Sequence, residues 1–305
     1  MNEVKLSLCI PTNGISEWVF PVLDSIYDQK VDESLYEVIV TDNGDNLSFK
    51  EKLRDYEKRV SNLVYKETDA KGFTNQIKSF ELATGEFIKF VNHRMPLMQG
   101  SLEYFINFVA QYELTKPYVY FSNGALSFKG ERNYARFNEF ANDLSYYLSW
   151  SAGIGLWRED FESVKLEKNY SNLFPHFNFI FPYVDKNSYI IDNKLLLGTL
   201  PTDVSKKGRY NIFSTFGIEF IDQMKYLLEK NNITKDTFDH ILKDNGDFLS
   251  KNYAMYILDK QPCSYDLSDA EKYLDKYYDF NKIKHQAYKY FVNLQWVKVK
   301  SKIKR

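Results

Sequence analysis

The chain has 305 residues, enough for one large domain or two ordinary ones, and its 44% hydrophobic and 27% charged residues are those of a globular protein. A formal net charge of −1 excludes a strong overall field for nucleic acid, so any recognition of anions is local. Two cysteines, Cys9 and Cys263, exclude a disulfide framework; with Cys9 in an apolar run, too short an apolar stretch near the N-terminus for a signal peptide, and no run near the roughly 18 residues of a spanning helix, a cytoplasmic protein is expected.

Residues 5–10 (KLSLCI) read as a short strand stopped by Pro11, and Val19, Val22, Leu23 and Ile26 give 17–29 helical spacing. The run 36–41 (YEVIVT) is the next strand. It ends in the turn-forming DNGDN at 42–46, and a helix at 49–60 and an extended run at 63–66 follow. Phe73, Ile77, Phe80 and Leu82 or Ala83 mark a helix that Thr84-Gly85 closes before a strand at 86–91. A helix at 102–114 and a strand at 118–122 continue the alternation. Short links between alternating strands and helices predict a mostly parallel α/β sheet, whose ligand face lies at the carboxyl ends of its strands. Pro11, Asp42, Asn43 and the triplet Asn92-His93-Arg94 fall on that face. From 216 onward the pattern is helical, so the chain divides into 1–215 and 216–305.

Four stretches read together resemble the family 2 glycosyltransferases of the GT-A fold, most closely the abequosyltransferase-like bacterial branch that builds surface polysaccharides. They are LSLCIPTNG at 6–14, YEVIVTDNGDN at 36–46, the turn at 72–75 with ELATGEFIKFV at 81–91, and YLSWSAGIGLWREDFESV at 147–164. With FPHFNFIFP at 174–182 and GRYNIFSTFG at 208–217 the resemblance covers most of the chain. It implies a GT-A domain with a mostly parallel, Rossmann-like sheet and flanking helices, followed by a C-terminal helical region. It implies a transferase that moves a sugar, with inversion, from a nucleotide-diphosphate sugar to a saccharide or lipid-linked acceptor.

The resemblance gives donor-binding roles to Pro11, Thr12 and Asn13 after the first strand, to Asp42 and Asn43 where the family commonly has two Asp, and to Asn75. Asn43 could still bond a base edge through its amide, or the segment could be a turn serving only the backbone. The family's metal motif, Asp-x-Asp, falls on Asn92-His93-Arg94. Mg²⁺ and Mn²⁺ need anionic oxygen ligands and a guanidinium accepts nothing, so no cofactor and no metal is expected there, unless Asp42 or Asp45 supplies a Mn²⁺ or Mg²⁺ site elsewhere. The departing nucleoside diphosphate still gathers negative charge, which Arg94 can oppose by bidentate contact with His93 as a donor beside it. The alternative is a catalytically inactive relative that binds or scaffolds sugar nucleotides.

The family's general base falls at 172–177, where no carboxylate stands and His176 is the titratable group, a competent base near neutral pH or else a core histidine. Asp185 and Asp192 are the fallback bases, with Asp160 behind them. The acceptor edge is placed on SAGIGLWR at 151–158, through Gly153, Trp157 and Arg158; Trp157 could equally be a core anchor and Arg158 a solvated charge.

Residues 282–305 hold eight Lys or Arg and no acid, with Ile283, Ala287, Tyr290, Phe291, Leu294 and Val297 at helical spacing and Trp296 near that stripe. Such a tail suits the anionic inner face of a bacterial membrane, or is a last helix docked on its own domain with a basic end. No motif for nucleic acid accompanies the charge.

Overall fold

The computed structural model describes residues 4–164, 171–201, 203–204 and 209–303, with the backbone alone for 301–303. Gly208 of GRYNIFSTFG and the terminal Lys304 and Arg305 of the basic tail lie outside the described residues. Two units divide the chain: residues 1–140 with 150–201, and residues 141–149 with 202–305.

The first unit runs β1 (Leu6–Thr12), α1 (Ser16–Tyr27), β2 (Tyr36–Asp42), α2 (Leu47–Glu57), β3 (Leu63–Glu67), a 3₁₀ turn (Gly72–Thr74) leading into α3 (Asn75–Glu81), β4 (Phe87–Phe90), α4 (Ser101–Tyr112), β5 (Tyr118–Phe121) and β6 (Glu131–Tyr134). After α5 (Phe137–Leu144) come β7 (Ile154–Trp157), α6 (Arg158–Ser163) and β8 (Tyr189–Asp192). The eight strands form one sheet in the order β3-β2-β1-β4-β7-β5-β8-β6. β7 runs antiparallel to both β4 and β5, and β6 antiparallel to β8; the other pairs are parallel. The carboxyl ends of β1 to β5 and β8 therefore share one edge of the sheet, whereas β7 starts at that edge and finishes at the other.

Helices on its faces keep this sheet dry. Leu8, Ile10, Val38 and Val40 pack in one cluster with Val19, Val22 and Leu23 of α1 and Leu102, Phe105 and Val109 of α4, and such side chains contribute roughly 1.5–3 kcal/mol each by leaving water. Asn46 caps α2 by accepting from Phe49 N at 3.2 Å. β1 continues through Pro11 rather than stopping there. Pro11 pairs with Thr41, and its missing N–H points to the β4 side, where pairing has ended at Cys9, so the ladder loses nothing.

The second unit contains α7 (Ile212–Ser214), a π turn (Thr215–Glu219), α8 (Phe220–Glu229), α9 (Lys235–Asn252), a second π turn (Tyr253–Leu258), α10 (Ala270–Leu274) and α11 (Phe280–Ile303). Ile212, Phe213, Leu249, Leu274, Phe280 and Ile283 form its core. A cut at 215/216 is thus displaced: the sheet ends with β8, and residues 141–149 join the later unit because Tyr146 stacks on Phe248 at 5.2 Å and Ser145 Oγ donates to Asp244 at 2.8 Å. No described helix is long and apolar enough to cross a membrane.

Candidate functional site

β4 ends because its apolar run ends. Val91 N makes a last ladder bond to Cys9 O at 2.8 Å, and the next three residues turn out of the sheet. Asn92 closes that turn by accepting at Oδ1 from Arg94 N (3.2 Å) and at its carbonyl from Met95 N (2.9 Å), while Leu200 N bonds Arg94 O at 3.2 Å. The triplet is therefore held by backbone on both sides.

His93 is paired with Thr12 at the end of β1, Nδ1 to Oγ1 at 2.8 Å, and the same hydroxyl accepts from Gly14 N at 3.1 Å. Assigning the Thr12 proton to His93 gives both hydroxyl partners a role: Oγ1 accepts from Gly14 N and donates to Nδ1, and the imidazole carries its own proton on Nε2. The other tautomer leaves the buried Thr12 hydroxyl proton without an acceptor. Burial, and then the charge of Arg94, push the imidazole down to about 3, so it is a neutral donor at physiological pH. Trp18, buried at the start of α1, stands edge-on to His93 with centroids 5.1 Å apart and lies 5.9 Å from the Arg94 guanidinium carbon.

Beside it the β2 end is tied to the same loop. Asn43 N bonds Thr12 O at 3.1 Å; Asp42, buried, accepts from Gly44 N (2.8 Å) and Tyr65 OH (3.2 Å), and burial raises its pKa. The two turns touch so closely that a Cβ on Gly44 would sit 2.1 Å from Asn13 O, which only glycine permits. The side chain of Asn43 donates to Ala70 O (2.8 Å) and Gly72 O (3.3 Å). Asn75, buried at the start of α3, donates to Thr12 O (3.2 Å) and Thr41 O (2.8 Å) and accepts from Thr68 Oγ1 (2.7 Å). Asn75 thus braces the rim from within, with both ends of its amide engaged, and half-buried Asn43 ties its turn to Ala70 and Gly72 through Nδ2. Pro11 is half-buried and Asn13 exposed on the same rim.

The acceptor residues do not join this group. Trp157 is 1% exposed, packs on Phe87 at 4.9 Å and donates to Pro117 O at 2.9 Å: it is a core anchor. Arg158 follows the end of the reversed strand β7 and so lies at the opposite edge, donating to Thr84 O (2.5 Å) and Glu162 (2.8 Å). Asp160 is beside it, paired with Lys186 at 2.6 Å, and exposed Asp185 precedes β8 at that same edge. Neither can serve the rim. Gly153 is on the rim side, but the ring it admits is that of Tyr120, which a Cβ would meet at 2.1 Å. Asp192 ends β8 at the rim, buried, accepting from Tyr104 OH (2.9 Å) and Lys194 N (2.9 Å), and burial raises its pKa. His176 has 0% exposure, with Ser151 Oγ 3.0 Å from Nδ1 and Phe177 at 4.7 Å, so an acceptor hydroxyl has no approach to its ring.

Two residues of this region were not singled out by the sequence. Trp18 carries a weak signal, an indole just after the β1 loop. Lys89 looks solvated in FIKFV yet is fully buried in β4, its Nζ donating to Phe90 O (2.8 Å), Ala152 O (2.7 Å) and Ile154 O (3.2 Å). Burial pushes it down to about 7, with the charge of Asp192 opposing the shift, and the three carbonyls match the three protons of the ammonium form.

A divalent cation does not suit the triplet, because Asn92 Oδ1 is turned back onto Arg94 N and the neighbouring groups are a neutral imidazole and a guanidinium. Among the described residues no three of His, Cys, Asp and Glu are grouped so as to hold a metal ion.

No protein-family model matches the chain, and no curated protein matches it in sequence. Solved structures do match in fold. TarS of S. aureus superposes with a TM-score of 0.57 at 13% identity over 82% of this chain, which spans 44% of that longer chain. TarS 1–349 in complex with UDP-GlcNAc gives 0.57 at 12% identity, covering 90% of this chain and 79% of that one. The mannosyltransferase PcManGT from Pyrobaculum calidifontis, in complex with GDP-Man and Mn²⁺, gives 0.52 at 13% identity, covering 95% and 88%. The fold is that of the GT-A glycosyltransferases.

Proposed function

We propose that the chain is a glycosyltransferase of the family 2 kind, in its abequosyltransferase-like branch, acting in the cytoplasm in bacterial surface polysaccharide synthesis. It takes a sugar from a nucleotide-diphosphate donor and passes it, with inversion, to a saccharide or lipid-linked acceptor. The observation that carries the reading is the rim cluster in which Thr12 Oγ1 pairs with His93 Nδ1 at 2.8 Å beside the Arg94 guanidinium, a pairing that assigns the imidazole proton to Nε2. The nucleoside lies along the 11–14 and 42–46 turns, and the diphosphate faces Arg94 and His93. As the bond between the sugar's anomeric carbon and the phosphate oxygen breaks, the electron pair goes to the diphosphate, and that growing charge is met without a metal. UDP, UDP-GlcNAc and GDP-Man complexes of the structural neighbours favour this donor class.

A second reading, a sugar-nucleotide-binding relative without transfer, is favoured by one observation: His176 is sealed, and Asp160 and Asp185 face the wrong edge. Calorimetry with UDP and GDP in EDTA tests the donor site. Arg94→Ala weakens diphosphate binding by about 1.5–3 kcal/mol and leaves nucleoside binding nearly unchanged. Binding that needs Mn²⁺ sinks the metal-free reading, and binding of neither nucleotide sinks the whole. Turnover of a panel of nucleotide sugars separates the two readings, since a scaffold binds donor and leaves it intact.

A further inference from the structure

α11 has two apolar faces, and the sequence pattern identifies only the inner one. Ile283 and Ala287 are buried and Tyr290, Phe291 and Leu294 half-buried within their own unit, Lys251 lies over the Tyr290 ring at 5.3 Å, and Asp259 accepts from Gln295 (2.6 Å) and Lys298 (2.7 Å). The stripe expected to meet a membrane is thus mostly a docking face; of it only Val297 is exposed, outside the second stripe.

The second stripe is formed by Tyr288, Val292, Trp296 and Val299, which are 54%, 62%, 59% and 47% exposed. At about 100° per residue these four share an arc of roughly 80° on the helix surface. Exposed His285 lies on the same arc. Lys282, Lys289 and Lys300 border the arc on one side and Lys284 on the other, and Lys300 Nζ sits 5.3 Å from the Trp296 ring. Residues 280–303 contain six lysines and no acid.

We propose that this outer face of α11 is an interfacial anchor for a bilayer with anionic headgroups. The indole and phenol lie at headgroup depth, the valines enter the acyl boundary, and the bordering lysines meet lipid phosphates. Charge decides the occupant. A second copy packed on this face brings lysines against lysines, and a zwitterionic surface leaves them without counter-charge. The anchor deepens the proposed function, since it brings the chain to a surface where lipid-linked acceptors reside, but its own evidence is separate from the donor site.

The test is co-sedimentation of the full chain with vesicles of phosphatidylethanolamine and phosphatidylglycerol, or of phosphatidylcholine alone. Binding to the anionic vesicles that fades with salt, and little to the neutral ones, is expected. Val292→Glu with Trp296→Glu lowers partitioning by at least about tenfold with an unchanged melting temperature, and Lys289→Glu with Lys300→Glu does so by a comparable factor. Failure to bind anionic vesicles at low salt overturns the proposal, as does equal binding by the stripe variant. Sedimentation equilibrium showing a dimer that Trp296→Glu dissociates also overturns it. UDP and GDP titrations of the same samples report separately on the donor-site reading.

Discussion

Thr12→Val removes one hydroxyl and keeps the branched shape in the last position of β1. Two partners are lost, Gly14 N at 3.1 Å and His93 Nδ1 at 2.8 Å. An orphaned buried polar group costs about 1–3 kcal/mol, so the expected destabilisation is about 2–3 kcal/mol. The larger consequence is for the tautomer. With no hydroxyl proton at Nδ1, the ring can carry its own proton on either nitrogen, and the donor aimed at the diphosphate is no longer guaranteed. A hydrogen bond to a charged phosphate is worth about 1.5–3 kcal/mol, which is roughly a 10- to 150-fold rise in Kd. The assay pairs calorimetry on UDP and GDP with ¹⁵N spectra of labelled histidine, which distinguish a bare from a protonated Nδ1. Native protein with a protonated Nδ1, or a Val variant that binds diphosphate at native strength, refutes the reasoning.

His93 also gives a pH dependence. Its folded pKa is about 3 against roughly 6.5 unfolded, so between those values the unfolded chain binds a proton that the folded chain refuses; stability is full above pH 6.5 and declines as pH falls. Denaturant midpoints from pH 7 to 4.5 therefore fall less steeply in His93→Gln, and equal slopes would show that the ring charges in place. Lys89, at about 7 folded against about 10.4 unfolded, makes stability rise between those values, a rise that Lys89→Met removes. The same variant removes three buried hydrogen bonds from Lys89, so a melting temperature no lower than native would show that the clamp contributes nothing.

The rhythm of β1 to β5 is readable in the sequence because strands covered on both faces are continuous apolar runs and their helices carry a 3.6-residue stripe. That rhythm puts Pro11, Asp42, Asn43 and the 92–94 triplet on one edge, and the structure has them there. β7 defeats the reading: Ile154–Trp157 is only four residues long and follows small residues in SAGIGLWR, and nothing local reports that it runs backwards. One reversed strand is enough to carry Arg158 and Asp160 to the far edge. The sealed ring of His176 and the spent amide of Asn75 escape notice for another reason, since hydrogen-bond partners 25 and 63 residues away leave no periodic trace. In α11 periodicity finds a stripe but cannot say which of two faces the rest of its unit will cover.

The reversed strand also sets an order of events. Strands β1 to β4 come from residues 6–90 and can pair among themselves as soon as that stretch is synthesised, whereas the outer edge of β4 has to wait for residues 154–157. Until then Phe87, Ile88 and Phe90 present an open apolar edge, a template for pairing with another chain. Pulse-labelled hydrogen exchange would show this as amides of β4 protected on the β1 side before those of β7 are protected. When β7 does arrive it must slide between two rows of aromatic rings, and Gly155 is what lets it pass: a Cβ there would lie 2.4 Å from the Phe87 ring. A single methyl group at this seam would prolong the interval in which the half-built sheet can aggregate.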